Sequence, residues 1–168
     1  YSLARLLKIK ENSFISAIQT FKGLSHRFEI FLKKKNITFI DDSKATSFAA
    51  SQLALSSLKN IYWILGGLPK KDDRFNLSKY KKNIVKCYII GKNLGFFRNQ
   101  IKDKLPFSIT KNLSNSLIQI IKDINYQKQA NQTILLSPAA ASFDQFTNFE
   151  MRGKEFKRLC KTYAKKLI

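Results

Sequence analysis

The chain has 168 residues, 44% of them hydrophobic, enough for one domain with a real core. No apolar run approaches the roughly 18 residues of a membrane-spanning helix, and the charged opening YSLARLLKIKEN lacks the apolar stretch and cleavage site of a secretory leader, so a cytoplasmic protein is expected. The formal charge of +20 invites a nucleic-acid reading, but the lysines are spread in ones and twos, without an RNP-type aromatic strand or zinc-finger spacing; a solvated basic surface is expected instead.

Two short helices are predicted first. SLARLLKI sets Leu3, Leu6 and Leu7 on one face, and SFISAIQTF continues with Phe14, Ile15, Ile18 and Phe21 before a stop at Gly23. A β-hairpin follows, with strands near 26–32 and 37–41 and its tip in the KKKN run. SFAASQLALSSL reads as a helix with Phe48, Leu55 and Leu58 in a stripe. NIYWILGG is a continuous β-prone apolar run, suited to a strand buried on both faces.

A short helix is expected near 76–82, then the strand IVKCYIIG, the helix LGFFRNQIKDK and an extended piece near Pro106-Phe107. NLSNSLIQIIKDI carries the stripe Leu113, Leu117, Ile120, Ile121 and Ile124. QTILLSP is the last strand, and the closing helix bears Phe156, Leu159, Cys160, Tyr163 and Leu167. Cys87 and Cys160 have neither metal-ligand nor CxxC spacing and read as reduced core thiols. Strand–helix alternation with short buried strands implies an α/β fold: a mostly parallel sheet of about six strands, one antiparallel strand from the hairpin, and flanking helices.

In such sheets ligands bind beyond the carboxyl ends of the strands. Three polar clusters fall there: Asp41-Asp42-Ser43-Lys44-Ala45-Thr46, Gly66-Gly67-Leu68-Pro69-Lys70-Lys71, and Ser137 through Asp144. Each has a plain structural explanation. Thr46 or Ser47 could cap the next helix, the glycines could make a tight turn, and Ser142 could cap a helix whose dipole Asp144 stabilises. Together they offer ammonium groups, hydroxyls and helix N-termini to an anionic ligand, with Asp42 suited to ribose hydroxyls. The single histidine, His26, with Arg27 beside it, could contact a nucleotide or be structural. No GxxxxGK[ST] loop occurs; Gly91-Lys92 lacks both the upstream glycine and the following hydroxyl. No metal ligand set is read.

GLSHRFE, DDSKAT, WILGGLPK and LLSPAAASFDQFTNFEMRGKEF together resemble the C-terminal domain of the Mur ligases, in order, from about residue 14 to the end. DSKAT favours the D-glutamate-adding member over its sisters, which carry an Asp-Tyr-Ala-His-x-Pro type. The resemblance implies a Rossmann-like C-terminal domain over 23–168, preceded at 1–22 by the last helices of a central ATPase domain. It implies an ATP-dependent ligase that activates UDP-N-acetylmuramoyl-L-alanine as an acyl phosphate and joins it to D-glutamate in peptidoglycan precursor synthesis. ATP and Mg²⁺ would be used, the metal held mainly by the central domain. His26, Arg27, Asp42 and Lys44 would contact ATP. Thr46, Lys70, Ser142, Phe143 and Phe149 would hold D-glutamate, and Lys44 and Lys70 would lie nearest the reacting groups.

Some positions depart from the family's pattern. Asp41 stands where Asn is frequent, Ser47 where Asn is common and Phe143 where Leu is usual. Leu68-Pro69-Lys70-Lys71 replaces a Gly-rich or Asp-bearing turn, which leaves Lys70 and Lys71 both open as the D-glutamate lysine; spacing from Gly67 favours Lys70. Tyr1 in place of Met suits a piece of a longer, monomeric chain, inactive alone and completed by the central and N-terminal domains. Two alternatives stay open: a free-standing, non-catalytic basic module binding nucleotide or nucleic acid, and a sister ligase with another amino acid.

Overall fold

A computed structural model describes residues 1–127 and 130–166. Its elements are helices α1 (Ser2–Leu6) and α2 (Glu11–Thr20), strands β1 (Glu29–Lys34) and β2 (Ile37–Asp41), helix α3 (Phe48–Ser57), strands β3 (Ile61–Gly66) and β4 (Ile84–Ile90), helix α4 (Leu94–Ile101), strand β5 (Phe107–Lys111), helix α5 (Leu113–Gln127), strand β6 (Gln132–Leu136) and helix α6 (Phe149–Tyr163). The six strands form one sheet in the order β1-β2-β6-β3-β4-β5. β1 and β2 are antiparallel, and every other pairing is parallel. Leu167 lies outside the described residues.

The sheet is covered on both faces, which is why its central strands read as unbroken apolar runs. β3 and β6 are buried along their whole length. Alternation divides β3 between two cores: Ile61, Trp63 and Leu65 pack with Phe48, Leu55, Phe97 and Ile101, whereas Tyr62 and Ile64 pack with Leu117, Ile120, Ile124, Phe156 and Cys160. Cys87 and Cys160 are buried free thiols. Burial pushes both thiols up and leaves them unreactive at neutral pH.

Local chemistry sets the helix starts. The Ser47 hydroxyl accepts from the Ala50 N–H at the start of α3, and the Asn148 side chain accepts from the Met151 N–H (2.8 Å) at the start of α6. Ser142 and Asp144 therefore do not cap α6. Ser142 closes its own turn, its carbonyl accepting from the Gln145 and Phe146 N–H groups.

Two elements differ from the expectation. β1 begins at Glu29, not near 26, because His26 (φ +62°) and Phe28 (φ +48°) take left-handed backbone that no strand accommodates. Lys33 and Lys34 stay in the strand, and the tip shrinks to Lys35-Asn36, with Lys35 left-handed. The helix expected near 76–82 is only a 3₁₀ turn at Lys81–Asn83. Upstream, Phe75 and Leu77 are drawn into the core, and the Asn76 carboxamide accepts from the Ser78 N–H and hydroxyl, a local bond that competes with helix.

α1 and α2 form where expected, but their apolar faces are not buried. Leu6 is 78% exposed, Ile18 59% and Phe21 65%. Among the described residues, no helix is long and apolar enough to cross a membrane.

Candidate functional site

Strand order makes the site. β6, the last strand in sequence, inserts between β2 and β3, so the three polar clusters meet on one rim. The Asp42 N–H donates to Leu136 O (2.8 Å), and the Gly66 N–H donates to Pro138 O (2.9 Å). Leu68 and Ala141 exchange both backbone hydrogen bonds at 2.9 Å. The Trp63 indole and the Ser51 hydroxyl donate to Ser137 O, locking the turn from below. The glycine pair is a steric necessity. A Cβ on Gly66 would stand 2.0 Å from Ile90 O, one on Gly67 2.2 Å from Ala141 O, and both residues have φ near +130°.

A cleft of about 380 Å³ opens beside the first turn. Phe21, Leu24, Phe28 and Leu53 form its apolar wall, and Arg27, Asp42 and Lys44 bring the polar groups. Asp42 is held on both oxygens: Oδ1 accepts from the Phe28 N–H (3.1 Å) and Oδ2 from the Ser137 hydroxyl (2.7 Å). Burial raises its pKa, and these two bonds offset only part of that effect. Each oxygen keeps acceptor capacity for a ligand hydroxyl. The Lys44 ammonium sits 3.8 Å from the centre of the Phe149 ring, a cation–π contact that fixes its head group.

The remaining predicted residues share the rim. Thr46 is half-buried in the turn before α3, and Ser142 is buried next to the Leu68–Ala141 bridge. Lys70 is exposed two residues beyond that bridge, and Phe143 is 70% exposed. His26 turns to Asp41: the residue is 5% exposed, with Nδ1 2.7 Å from Asp41 Oδ2. Burial raises the Asp41 pKa, while His26, the Ser43 N–H and the Lys157 charge oppose the rise.

His26, Glu29 and Asp41 bring one donor atom each within 4.8 Å of one another. They do not make a vacant metal site. The Lys157 ammonium lies 2.9 and 3.0 Å from the Glu29 oxygens and 3.9 Å from Asp41, and already serves as the cation.

Sequence reasoning missed Arg152. It is buried at 1% exposure in the first turn of α6. Its Nε donates to the Ser43 hydroxyl (3.0 Å), and Nη2 donates to Ser43 O (2.8 Å) and Ala140 O (3.0 Å). The turns after β2 and β6 are thus joined through one guanidinium. The signal was present: 149, 152, 156 and 159 form one helical stripe, and an arginine on an otherwise apolar stripe marks a charge held by buried acceptors.

No family model matches the chain. It is 39% identical over 158 residues to the UDP-N-acetylmuramoylalanine--D-glutamate ligase of Wolbachia sp. subsp. Brugia malayi (strain TRS), covering 94% of this chain and 32% of that protein. Identity to the ligase of the same name from Rhizobium meliloti (strain 1021) is 38% over 148 residues, covering 88% of this chain and 32% of that protein. For the one from Rickettsia conorii (strain ATCC VR-613 / Malish 7) it is 34% over 160 residues, covering 95% and 32%. The chain spans about a third of the length of the curated relatives it matches.

Proposed function

From the premise that this chain belongs to the Mur ligases of the D-glutamate-adding type, matching about a third of such an enzyme, we propose that it works as the C-terminal domain of a peptidoglycan-precursor ligase. Residues 23–168 are that domain, and residues 1–22 are the closing helices of the central one. The complete cytoplasmic enzyme uses ATP to convert the carboxylate of UDP-N-acetylmuramoyl-L-alanine to an acyl phosphate, which the amine of D-glutamate attacks, releasing phosphate.

The observation that carries this reading is the cleft. Arg27, Asp42 and Lys44 converge on it against an apolar wall, on the same rim as Thr46, Ser142 and Lys70. The wall suits a nucleobase, the Asp42 carboxylate suits ribose hydroxyls, and the Arg27 and Lys44 cations suit phosphate. Lys70, Thr46 and the Ser142-Phe143 turn are the grips for the two carboxylates of D-glutamate, and Phe149 packs beside it. Closing this rim over an acyl phosphate orients the amine and excludes water. The Lys44 and Lys70 ammoniums offset negative charge on the transferred phosphoryl group. Magnesium is assigned to the rest of the enzyme, because the His26–Glu29–Asp41 group here has Lys157 as its cation.

The test is a split in kinetic constants of the full-length ligase. Asp42→Ala raises the ATP KM roughly 10- to 100-fold, the size of a lost charged hydrogen bond, and leaves the D-glutamate KM in place. Lys70→Ala does the reverse. If both variants keep both wild-type KM values, the reading is wrong.

A further inference from the structure

Arg27 is flanked by two residues in left-handed backbone, His26 and Phe28. Residues with a Cβ are sterically strained there, so something must hold the turn. The His26 N–H donates to Glu29 Oε2 (2.9 Å), the His26 carbonyl accepts from the Lys44 N–H (3.0 Å), and the His26 ring pairs with Asp41 (2.7 Å). The Phe28 N–H donates to Asp42 Oδ1. Asp41 Oδ1 accepts from the Ser43 N–H (3.0 Å), and Lys157 on α6 grips Glu29. α6 also leaves room for the pair: a Cβ on Gly153 would stand 2.2 Å from His26 Nδ1 and 2.7 Å from Asp41 Oδ2. Tied in this way, the turn leaves Arg27 exposed and lining the cleft while His26 is buried against Asp41.

We propose that His26 is a positioning residue rather than a nucleotide contact: with Asp41, Glu29 and Lys157 it holds the strained turn that presents Arg27 to the cleft beside Asp42 and Lys44. At 5% exposure His26 offers a ligand almost no surface, and swinging the ring outward would take from buried Asp41 its partner on Oδ2. The arrangement also links α6 to the cleft through Lys157 and Gly153. The inference rests on the reading of the cleft as the nucleotide site.

A double-mutant cycle in the full-length ligase tests it. Arg27→Ala is expected to raise the ATP KM, and His26→Ala to raise it roughly tenfold through misplacement of Arg27. In the Arg27→Ala background, His26→Ala should change the KM by less than about twofold. A residue with only a structural role lowers the active fraction, and so kcat, without moving the ATP KM. Should His26→Ala not fold, Glu29→Gln at the half-buried edge of the cluster takes its place, with the same non-additivity expected.

Multiplying effects of His26 and Arg27 would overturn the proposal, since His26 would then act on the ligand by its own route. So would an unchanged KM in the His26 and Glu29 variants where Arg27→Ala raises it. If neither Arg27→Ala nor Asp42→Ala moves the ATP KM, the nucleotide reading itself falls and the inference falls with it.

Discussion

Arg152 shows how one side chain holds a rim together. It spans Ser43 and Ala140, and Nη1 is buried without a hydrogen-bond partner among the described residues. Burial pushes its pKa down to about 10, against the charges of Asp144 and Asp41, so it stays protonated at neutral pH. Arg152→Met would leave two carbonyls and a hydroxyl without their donor, and unfolding in urea should show a loss of about 3 kcal/mol. Arg152→Lys keeps the charge but not the planar fork, and should recover only part of that loss. At this scale the sequence was uneven. The place of Asp42 and Lys44 on the rim was legible because they sit in a short motif beside a strand end. The inward turn of the His26 ring was not legible, because its partner Asp41 lies 15 residues away and the backbone between them must first fold back.

At the scale of elements, β4 and α5 are joined by Asp123, which accepts from Lys86 (2.8 Å), Tyr88 (2.6 Å) and Gln119 (3.0 Å). Partial burial alone would raise its pKa, but these three partners together hold it below the usual range. A carboxylate lowered in the folded state contributes stability that is present above its unfolded value of about 4 and is lost as pH falls through the lower folded value. The stability advantage of the wild type over Asp123→Asn should therefore be constant above about pH 5 and shrink below about pH 4. Denaturant midpoints across that range would measure it; an advantage that grows in acid would contradict it. The elements themselves were read well where periodicity is local, as in β3 and α5. They were misread where tertiary anchors override propensity, as at the start of β1 and along the Phe75–Leu77 segment.

At the scale of the molecule, charge and apolar surface are both left over. Among the described residues, the lysine and arginine ion pairs engage only Lys86, Lys157 and Arg158, so most of the +20 charge faces solvent. The larger remainder is the apolar surface of α1 and α2. α2 buries none of its residues, α1 only Ala4, and neither packs extensively on the sheet. This suits helices that belong to a neighbouring domain, as proposed. Removing residues 1–20 should leave the unfolding midpoint within about 4 °C, the shift expected from about 1 kcal/mol in a domain this size, and should reduce binding of a hydrophobic dye. A collapse of cooperative unfolding would show instead that the two helices belong to this domain.

The sequence by itself determined most of the strands and helices, where the polar clusters sit relative to strand ends, and the chemistry those clusters offer. These are local properties, carried by periods of 2 and 3.6 residues and by motifs a few positions long. Only the tertiary structure decided which clusters meet. The insertion of β6 between β2 and β3 brings Ser137 to Asp42 from 95 residues away, and Arg152 reaches Ser43 across 109. Contacts at that separation leave no periodic trace in the chain. They follow from packing both faces of one sheet, and a linear pattern shows only that a residue is to be buried, not what it will be buried against.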